Sequence, residues 1–103
     1  MLKWLEDYYV GKSIDAPVKL QADLNAGRTV PLVYLVTLAR SKNNILEIIP
    51  GITLASRHAR RRCRLIIAMA GSKQEAMELV RDIVDQVYRK TGGVDVEGFI
   101  KSR

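Results

Sequence analysis

A run of arginines near the middle of the chain is the feature of this sequence that most clearly suggests chemistry. The run contains Arg57, Arg60, Arg61, Arg62 and Arg64. Guanidinium groups bind phosphates through several hydrogen bonds, so such a cluster can bind RNA, DNA or another polyanion. If all five lie on one face, affinity for duplex DNA should fall with log salt at a slope of about -4 to -5. The competing interpretation is a solvated helix end, where arginines complement the helix dipole.

The net charge of the whole chain is concentrated around this run. The chain has 17 Lys and Arg residues and 11 Asp and Glu residues, for a net charge of +6. Residues 40–64 hold seven of the basic residues and a single acid, Glu47, which leaves ten basic and ten acidic residues elsewhere. A concentrated patch attracts polyanions more strongly than evenly spread charge. Two observations disfavour nucleic-acid binding. No aromatic residue lies between Tyr34 and Tyr88 for base stacking, and no standard nucleic-acid motif is present.

Cys63 and His58 are the one cysteine and the one histidine of the chain, and both lie within the arginine run. Neighbouring arginines favour a reactive thiolate if the sulfur is exposed, and they make His58 a weak base. The interpretation we favour is that Cys63 begins a strand and is buried as a small apolar residue. No partner acid or base stands at a catalytic spacing, and the scattered carboxylates form no metal-ligand pattern. The sequence therefore assigns no catalytic residue, metal or cofactor, and favours a protein that is not an enzyme.

A second possible anion site lies where the apolar run 65–70 meets Ser72. Ser72-Lys73-Gln74-Glu75 has the pattern of a capping box, and the start of a helix can bind phosphate. The preceding loop has one glycine and lacks both the dinucleotide-binding and the P-loop spacing. We therefore expect helix capping here rather than phosphate binding.

Three aromatic residues near the start, Trp4, Tyr8 and Tyr9, are candidates for an interface. Their spacing predicts a short helix over Leu2 to Val10 with one apolar side, ended by Gly11. They serve either as core or as a contact surface, since Trp and Tyr are enriched at interfaces. A small sheet leaves an edge and part of a face to cover, and a homodimer is a simple way to cover both.

Two segments predict the strands of a hairpin, 18–39. Apolar residues alternate strictly over 18–24, which is typical of a half-buried edge strand. The run 30–39 is β-branched and apolar on both faces, as in a central strand. A helix over 17–26 is the competing prediction, because Ala, Leu and Gln favour helices.

The second half of the sequence predicts a strand and several helices. Asn44 to Glu47 has the pattern of a helix start, Pro50-Gly51 interrupts that helix, and a second helical segment covers 52–59. A second inner strand covers 65–70. A long amphipathic helix with the apolar stripe Ala76, Val80, Ile83, Val84 and Val87 follows, and ends at Thr91-Gly92-Gly93. Asp95 caps a last short helix.

These elements predict one α/β domain over residues 1–103. The expected sheet has about three strands, with the N-terminal hairpin beside a β-α-β unit whose inner strands run parallel, and with helices packed on it. The longest uncharged apolar run is too short to span a membrane, and the start lacks the features of a signal peptide. With a single cysteine, these features predict a cytoplasmic protein.

Several short motifs resemble a family of small uncharacterised bacterial proteins of about 100 residues. The motifs are Trp4-Leu5 with Asp7, Tyr9-Val10-Gly11, Glu47-Ile48-Ile49-Pro50, Asp82-Ile83-Val84 with Val87-Tyr88, and Thr91-Gly92 with Asp95-Val96. The resemblance covers nearly the whole chain and implies no activity or catalytic residue. Other members are less arginine-rich around 57–64, so the resemblance does not imply polyanion binding as a shared function.

The leading functional expectation from the sequence is a non-enzymatic, self-associating interaction module in the cytosol. It depends on the lack of catalytic motifs and on the apolar surface that a small sheet leaves uncovered. The alternative is polyanion or RNA binding through the segment Arg57–Arg64.

Overall fold

The computed structural model describes residues 2–41 and 44–102 of the chain. These residues form a mixed α/β fold, which confirms the predicted class, with a four-stranded sheet rather than about three strands. In chain order the elements are β1 (Trp4–Val10), α1 (Pro17–Asn25), β2 (Tyr34–Leu38), β3 (Leu46–Pro50), a 3₁₀ segment (Gly51–Ala55), α2 (Arg57–Arg62), β4 (Ile66–Ala70), α3 (Lys73–Thr91) and α4 (Val96–Ser102).

The sheet has the strand order β1-β4-β2-β3. β4 pairs in parallel with β1 and antiparallel with β2, and β2 also pairs antiparallel with β3. The hairpin of this fold is therefore β2–β3, and the predicted hairpin over 18–39 is wrong. The prediction that the strands at 30–39 and 65–70 run parallel is also wrong. The chain reverses direction in β3 before it crosses to β4, so β4 runs opposite to β2.

Helices cover both faces of the sheet, and each face has its own apolar cluster. On one face, Ala76, Ile83 and Val87 of α3 and two residues of α4 pack against β2 and β4. On the other face, Leu24 of α1 and Leu54 of the 3₁₀ segment pack against Leu35, Ile66 and Met69. A sheet buried on both faces explains why β4 is fully buried along its length.

The first predicted element is wrong, because the segment predicted as a helix over Leu2–Val10 is the edge strand β1. Trp4 and Tyr8 pack on the face of the sheet that α1 covers, and Tyr9 packs on the face that α3 covers. Neighbouring strand residues point to opposite faces, so the three aromatics do not form one side.

The segment 18–24 is a helix rather than the predicted edge strand, and the competing prediction of a helix over 17–26 is correct. Pro17 is the first residue of α1, a position where its missing N–H costs nothing. Leu24 is fully buried and Leu20 half-buried, whereas Val18 is 75% exposed. Burial thus follows the helical spacing of four residues instead of the alternation.

The helix predicted to start at Asn44 is also wrong, because Leu46–Pro50 is the strand β3. Glu47 does not cap a helix. Its carboxylate accepts a hydrogen bond from the backbone N–H of Arg40 (2.8 Å) and pairs with the Arg40 side chain (3.2 Å) across the start of the hairpin. The helical segment predicted over 52–59 corresponds to the 3₁₀ segment followed by the first residues of α2.

The predictions for the last third of the chain are confirmed. The Ser72 hydroxyl accepts the Glu75 N–H at the start of α3, and Gly92 ends the helix in the left-handed conformation, with φ of 76°. Asp85 and Arg89 form an ion pair at 2.9 Å on the exposed side of α3. At α4, the Asp95 carboxylate accepts the backbone N–H of Gly98 at 3.0 Å, so Asp95 caps the helix as predicted.

Candidate functional site

A groove lined mostly by basic residues lies where β1 and β4 begin and β2 ends. It has a volume of about 510 Å³, and six of its nine lining residues are cationic. The cations are Lys3, Arg60, Arg61, Arg62, Arg64 and Lys101. The remaining lining residues are Leu38, Cys63 and Leu65, so no acidic residue among 2–41 and 44–102 lines it. We call this feature the basic groove.

Strand pairing brings distant parts of the chain to the basic groove. The carbonyl of Lys3 accepts the N–H of Ile66 at 2.9 Å, which places the start of β1 beside the start of β4. The carbonyl of Leu65 accepts the N–H of Leu38 at 3.0 Å, which brings in the end of β2. Lys3 therefore joins the arginine run although some 57 residues separate it from Arg60 in sequence.

Two helices direct their C-terminal turns toward the same groove. Arg61 and Arg62 stand in the last turn of α2, and Lys101 stands in the last turn of α4. Cations are favourable at this end of a helix because the carbonyl groups there carry partial negative charge. The last turns of both helices thus place these three cations at the groove.

Arg60 has a packing role within the arginine run. Its guanidinium donates hydrogen bonds to the backbone carbonyls of Leu24 (2.6 Å), Asn25 (2.8 Å) and Leu54 (3.2 Å). These contacts bind α2 to the end of α1 and to the 3₁₀ segment. Arg60 contributes charge to the groove wall, but most of its hydrogen-bonding capacity is used inside the chain.

Arg64 is also partly committed to contacts within the fold. One of its guanidinium nitrogens donates to the carbonyl of Ala39 at 2.8 Å, and the other pairs with the Glu97 carboxylate at 2.8 Å. Lys101 pairs with the same Glu97 oxygen at 2.7 Å. The hydrogen bonds from Lys101 and then Arg64 hold the pKa of Glu97 below its usual value, so the carboxylate stays ionised.

The cations that remain available are Lys3, Arg61 and Arg62. All three are exposed, and none of their side chains donates a hydrogen bond or forms an ion pair in the described part of the chain. Arg57 is exposed at the start of α2 but does not line the groove. The fold therefore brings four of the five predicted arginines to one concave surface and leaves two of them free. Lys42, one of the seven basic residues in the segment 40–64, lies outside the described residues.

Cys63 and His58 do not meet in a common site. Cys63 is half-buried just after α2, and it lines a small cavity of about 40 Å³ together with Arg40 and Glu47. His58 is exposed and does not line that cavity. Burial raises the pKa of the Cys63 thiol, which opposes formation of a thiolate. The arrangement fits the interpretation of Cys63 as a packed residue, although it precedes β4 rather than beginning it.

At the opposite end of the sheet, a carboxylate of the chain itself occupies the start of α3. Glu75 accepts the N–H of Gly71 (2.8 Å) and both the hydroxyl (2.7 Å) and the N–H (3.2 Å) of Ser13. These donors, the Gly71 N–H first, lower the pKa of Glu75. An external phosphate would meet a negative charge here, which fits capping rather than phosphate binding. The contribution of Ser13 was not visible in the sequence, because it depends on β1 and β4 lying side by side.

The three aromatic interface candidates bind β1 to the helices of the same chain. Trp4 donates its indole N–H to the side chain of Asn25 at 2.8 Å, and its ring lies 5.2 Å from that of Tyr8. Tyr8 hydrogen-bonds Gln21 on α1, and Tyr9 hydrogen-bonds Gln86 on α3, both at 3.1 Å. All three are half-buried, so their contacts fit the core alternative that the sequence left open.

Residues 2–41 and 44–102 contain no group of three or more His, Cys, Asp and Glu side chains that could hold a metal ion. Within the same ranges, no helix combines the length and apolar character that crossing a membrane requires.

Comparisons with known proteins add no family assignment. No protein-family model, curated protein or solved structure matches this chain. The resemblance to small bacterial proteins therefore stays a prediction.

Proposed function

We propose that this protein binds the phosphate backbone of RNA or DNA in the basic groove, without reading the base sequence. The observation that carries the proposal is the convergence of six cations from three parts of the chain on one concave surface, with no acidic lining residue in the described chain. Counter-ions released from a bound nucleic acid would provide much of the binding free energy.

The shape of the groove supports single-stranded nucleic acid as the preferred ligand. The cations line a concavity, and the half-buried Leu65 supplies apolar surface between them, whereas Leu38 is buried. A single strand can follow such a positively charged groove through its backbone. The short helix α2 has six residues and packs against the 3₁₀ segment, so it does not project as a major-groove reading helix would.

Self-association takes second place in this proposal. The sequence argument for a homodimer named Trp4, Tyr8 and Tyr9 as interface residues, and all three now have partners within the chain. A dimer stays a prediction without an assigned surface, whereas the polyanion proposal has a definite site.

The test is a fluorescence titration of a labelled single-stranded oligouridylate into the protein at several salt concentrations. With Lys3, Arg61 and Arg62 free to contact phosphates, the slope of log affinity against log salt should be about -2 for the single strand. The corresponding slope expected for duplex DNA is about -3. It is shallower than the slope of about -4 to -5 expected if all five arginines of the run contacted phosphates.

A double variant, Arg61→Ala with Arg62→Ala, should reduce the slope for the single strand by about 1.4, since two phosphate contacts are lost. The matched control is Lys73→Ala with Arg81→Ala, which removes the same charge from exposed positions on α3. No binding of the wild-type protein at low salt, or an equal loss of affinity in both double variants, would contradict the proposal.

A further inference from the structure

One acidic side chain already forms ion pairs with two of the cations that line the basic groove. The Glu97 carboxylate stands at the start of α4 and pairs through one oxygen with Arg64 (2.8 Å) and with Lys101 (2.7 Å). No other acidic residue in the described chain forms an ion pair with a cation that lines the basic groove. A ligand therefore has to displace Glu97 to take over its hydrogen bonds with Arg64 and Lys101, although both cations are partly exposed.

The contacts around Glu97 are those that a phosphate would make. An oxyanion receives a guanidinium N–H from one side and an ammonium N–H from another, both at distances typical of charge-assisted hydrogen bonds. A nucleic-acid strand bound to the free cations Lys3, Arg61 and Arg62 would bring further phosphates to this part of the groove. Glu97 and one of those phosphates would then compete for the same two cations.

We infer that Glu97 holds the place of one phosphate and thereby makes the groove select ligands that carry several linked phosphates. This inference rests on the proposed function. It adds to that function a residue that determines specificity, and it distinguishes an oligonucleotide from a free phosphate or a mononucleotide.

The selection follows from effective concentration. Glu97 is tethered next to its two cations, so its local concentration is in the millimolar range or above, and a free phosphate at micromolar concentration competes poorly. A strand held by the three free cations presents its next phosphate at a similarly high local concentration. The strand can therefore displace the carboxylate when a single phosphate cannot.

The exposure of the Glu97 ion pairs makes this exchange feasible. The side chains of Arg64, Lys101 and Glu97 are 40%, 64% and 37% exposed, so water screens both pairs. Exposed ion pairs of this kind are weak and are easily exchanged for another anion. The backbone contact of Arg64 with Ala39 keeps the guanidinium near the groove when the carboxylate leaves.

The test compares Glu97→Gln with the matched variant Glu78→Gln. Glu78 is exposed on α3, and it lines a different surface depression near Val10 and Gly11, so the control makes the same charge change away from the basic groove. Each variant is titrated with a single-stranded oligouridylate and with uridine monophosphate. Circular dichroism and thermal unfolding establish that α4 remains folded in Glu97→Gln.

Removing the carboxylate should expose two more cations to the ligand. Glu97→Gln should bind the oligouridylate about three- to tenfold more tightly at low salt, with a slope steeper by about 0.7 to 1.4. The mononucleotide should gain affinity by a larger factor than the oligouridylate, which reduces the selectivity for the longer ligand. Glu78→Gln should stay within about twofold of the wild type, as expected for a distant screened charge.

The outcomes separate this inference from the function on which it rests. If the wild type binds the oligouridylate and Glu97→Gln behaves like Glu78→Gln, the inference is overturned and the proposed function stands. If neither the wild type nor Glu97→Gln binds, both fail. Should Glu97→Gln unfold, the carboxyl ¹³C resonance of Glu97 in the wild-type protein decides. The resonance should move when the oligouridylate is added, and an unmoved resonance during saturating binding overturns the inference.

Discussion

At the scale of single residues, Arg60 and Arg61 are sequence neighbours with different roles. The Arg60 guanidinium donates to three backbone carbonyls near the end of α1 and in the 3₁₀ segment, whereas the Arg61 side chain is exposed and donates no hydrogen bond within the described chain. The planar fork of an arginine can reach several acceptors at once, which a lysine cannot do. Stability and ligand binding therefore depend on different members of the same basic segment.

This difference predicts the effect of substituting each arginine on stability. Arg60→Ala should lower the free energy of unfolding by about 2 to 3 kcal/mol, because hydrogen bonds from a charged donor are lost and partly buried carbonyls are left without it. Arg60→Lys keeps the charge but loses the fork, and should cost about 1 to 2 kcal/mol. Arg61→Ala should change stability by less than about 0.5 kcal/mol. Urea unfolding followed by circular dichroism measures all three, and equal stability of Arg60→Ala and Arg61→Ala would refute the assignment.

At the scale of secondary-structure elements, α3 ends at a glycine that the backbone conformation requires. Gly92 has a φ of 76°, and its N–H donates to the Tyr88 carbonyl at 2.8 Å. A side chain in this region of the backbone is strained, and glycine avoids the strain. Gly93 follows directly, but its φ is not in the left-handed region.

The pair of glycines allows a controlled test of the helix end. Gly92→Ala should destabilise the protein by about 1 kcal/mol, because the left-handed conformation is strained for a residue with a Cβ atom. Gly93→Ala should stay within about 0.5 kcal/mol, since the nearest atom to its added Cβ is the Thr91 hydroxyl at 4.0 Å. Thermal unfolding of the two variants compares them directly. A larger loss for Gly93→Ala than for Gly92→Ala would contradict this account of the helix end.

Elements with strong local patterns could be predicted from the sequence, and α3 is the clearest case. Its buried residues Ala76, Ile83 and Val87 follow the helical period, and Ser72 and Gly92 mark its two ends. The strand β4 was also predictable, because an uninterrupted apolar run of this length bounded by arginines and a glycine fits a strand buried on both faces.

Shorter elements were ambiguous because one spacing fits two structures. Trp4 and Tyr8 are four residues apart, which places them on one side of a helix and equally on one face of a strand. The segment 18–24 has apolar residues at alternate positions, as in a strand: Val18, Leu20, Ala22 and Leu24. The four-residue spacing of Leu20 and Leu24 also fits one side of a helix. In both segments the packing partners decide the structure, and a single sequence does not show those partners.

The candidate site could be predicted only in part for the same reason. The arginine run is visible in the sequence, but the roles of Arg60 and Arg64 depend on carbonyls more than twenty residues away. Lys3, Lys101 and Glu97 join the site through the pairing of β1 with β4 and the packing of α4. The segment of β1 was predicted as a helix rather than a strand, so these three residues could not be placed beside the run.

At the scale of the whole molecule, the two ends of the sheet carry opposite arrangements of charge. At the starts of β1 and β4, cations from α2 and α4 surround the basic groove. At the ends of the same strands, the Glu75 carboxylate already accepts the N–H groups of Gly71 and Ser13. A polyanion is attracted to the first end and meets a negative charge at the second. The proposed function therefore predicts at which end of the sheet the ligand binds.

The most direct test of this account is to map where a single-stranded oligouridylate contacts the protein in solution. Backbone amide shifts of the ¹⁵N-labelled chain should change most at Lys3, in the segment 61–65 and at Lys101, and the changes should vanish at high salt. Amides around Gly11, Ser13 and Gly71 should stay unchanged. The largest shifts at that opposite end, or no shifts at low salt, would contradict the central claim that the basic groove binds nucleic acid.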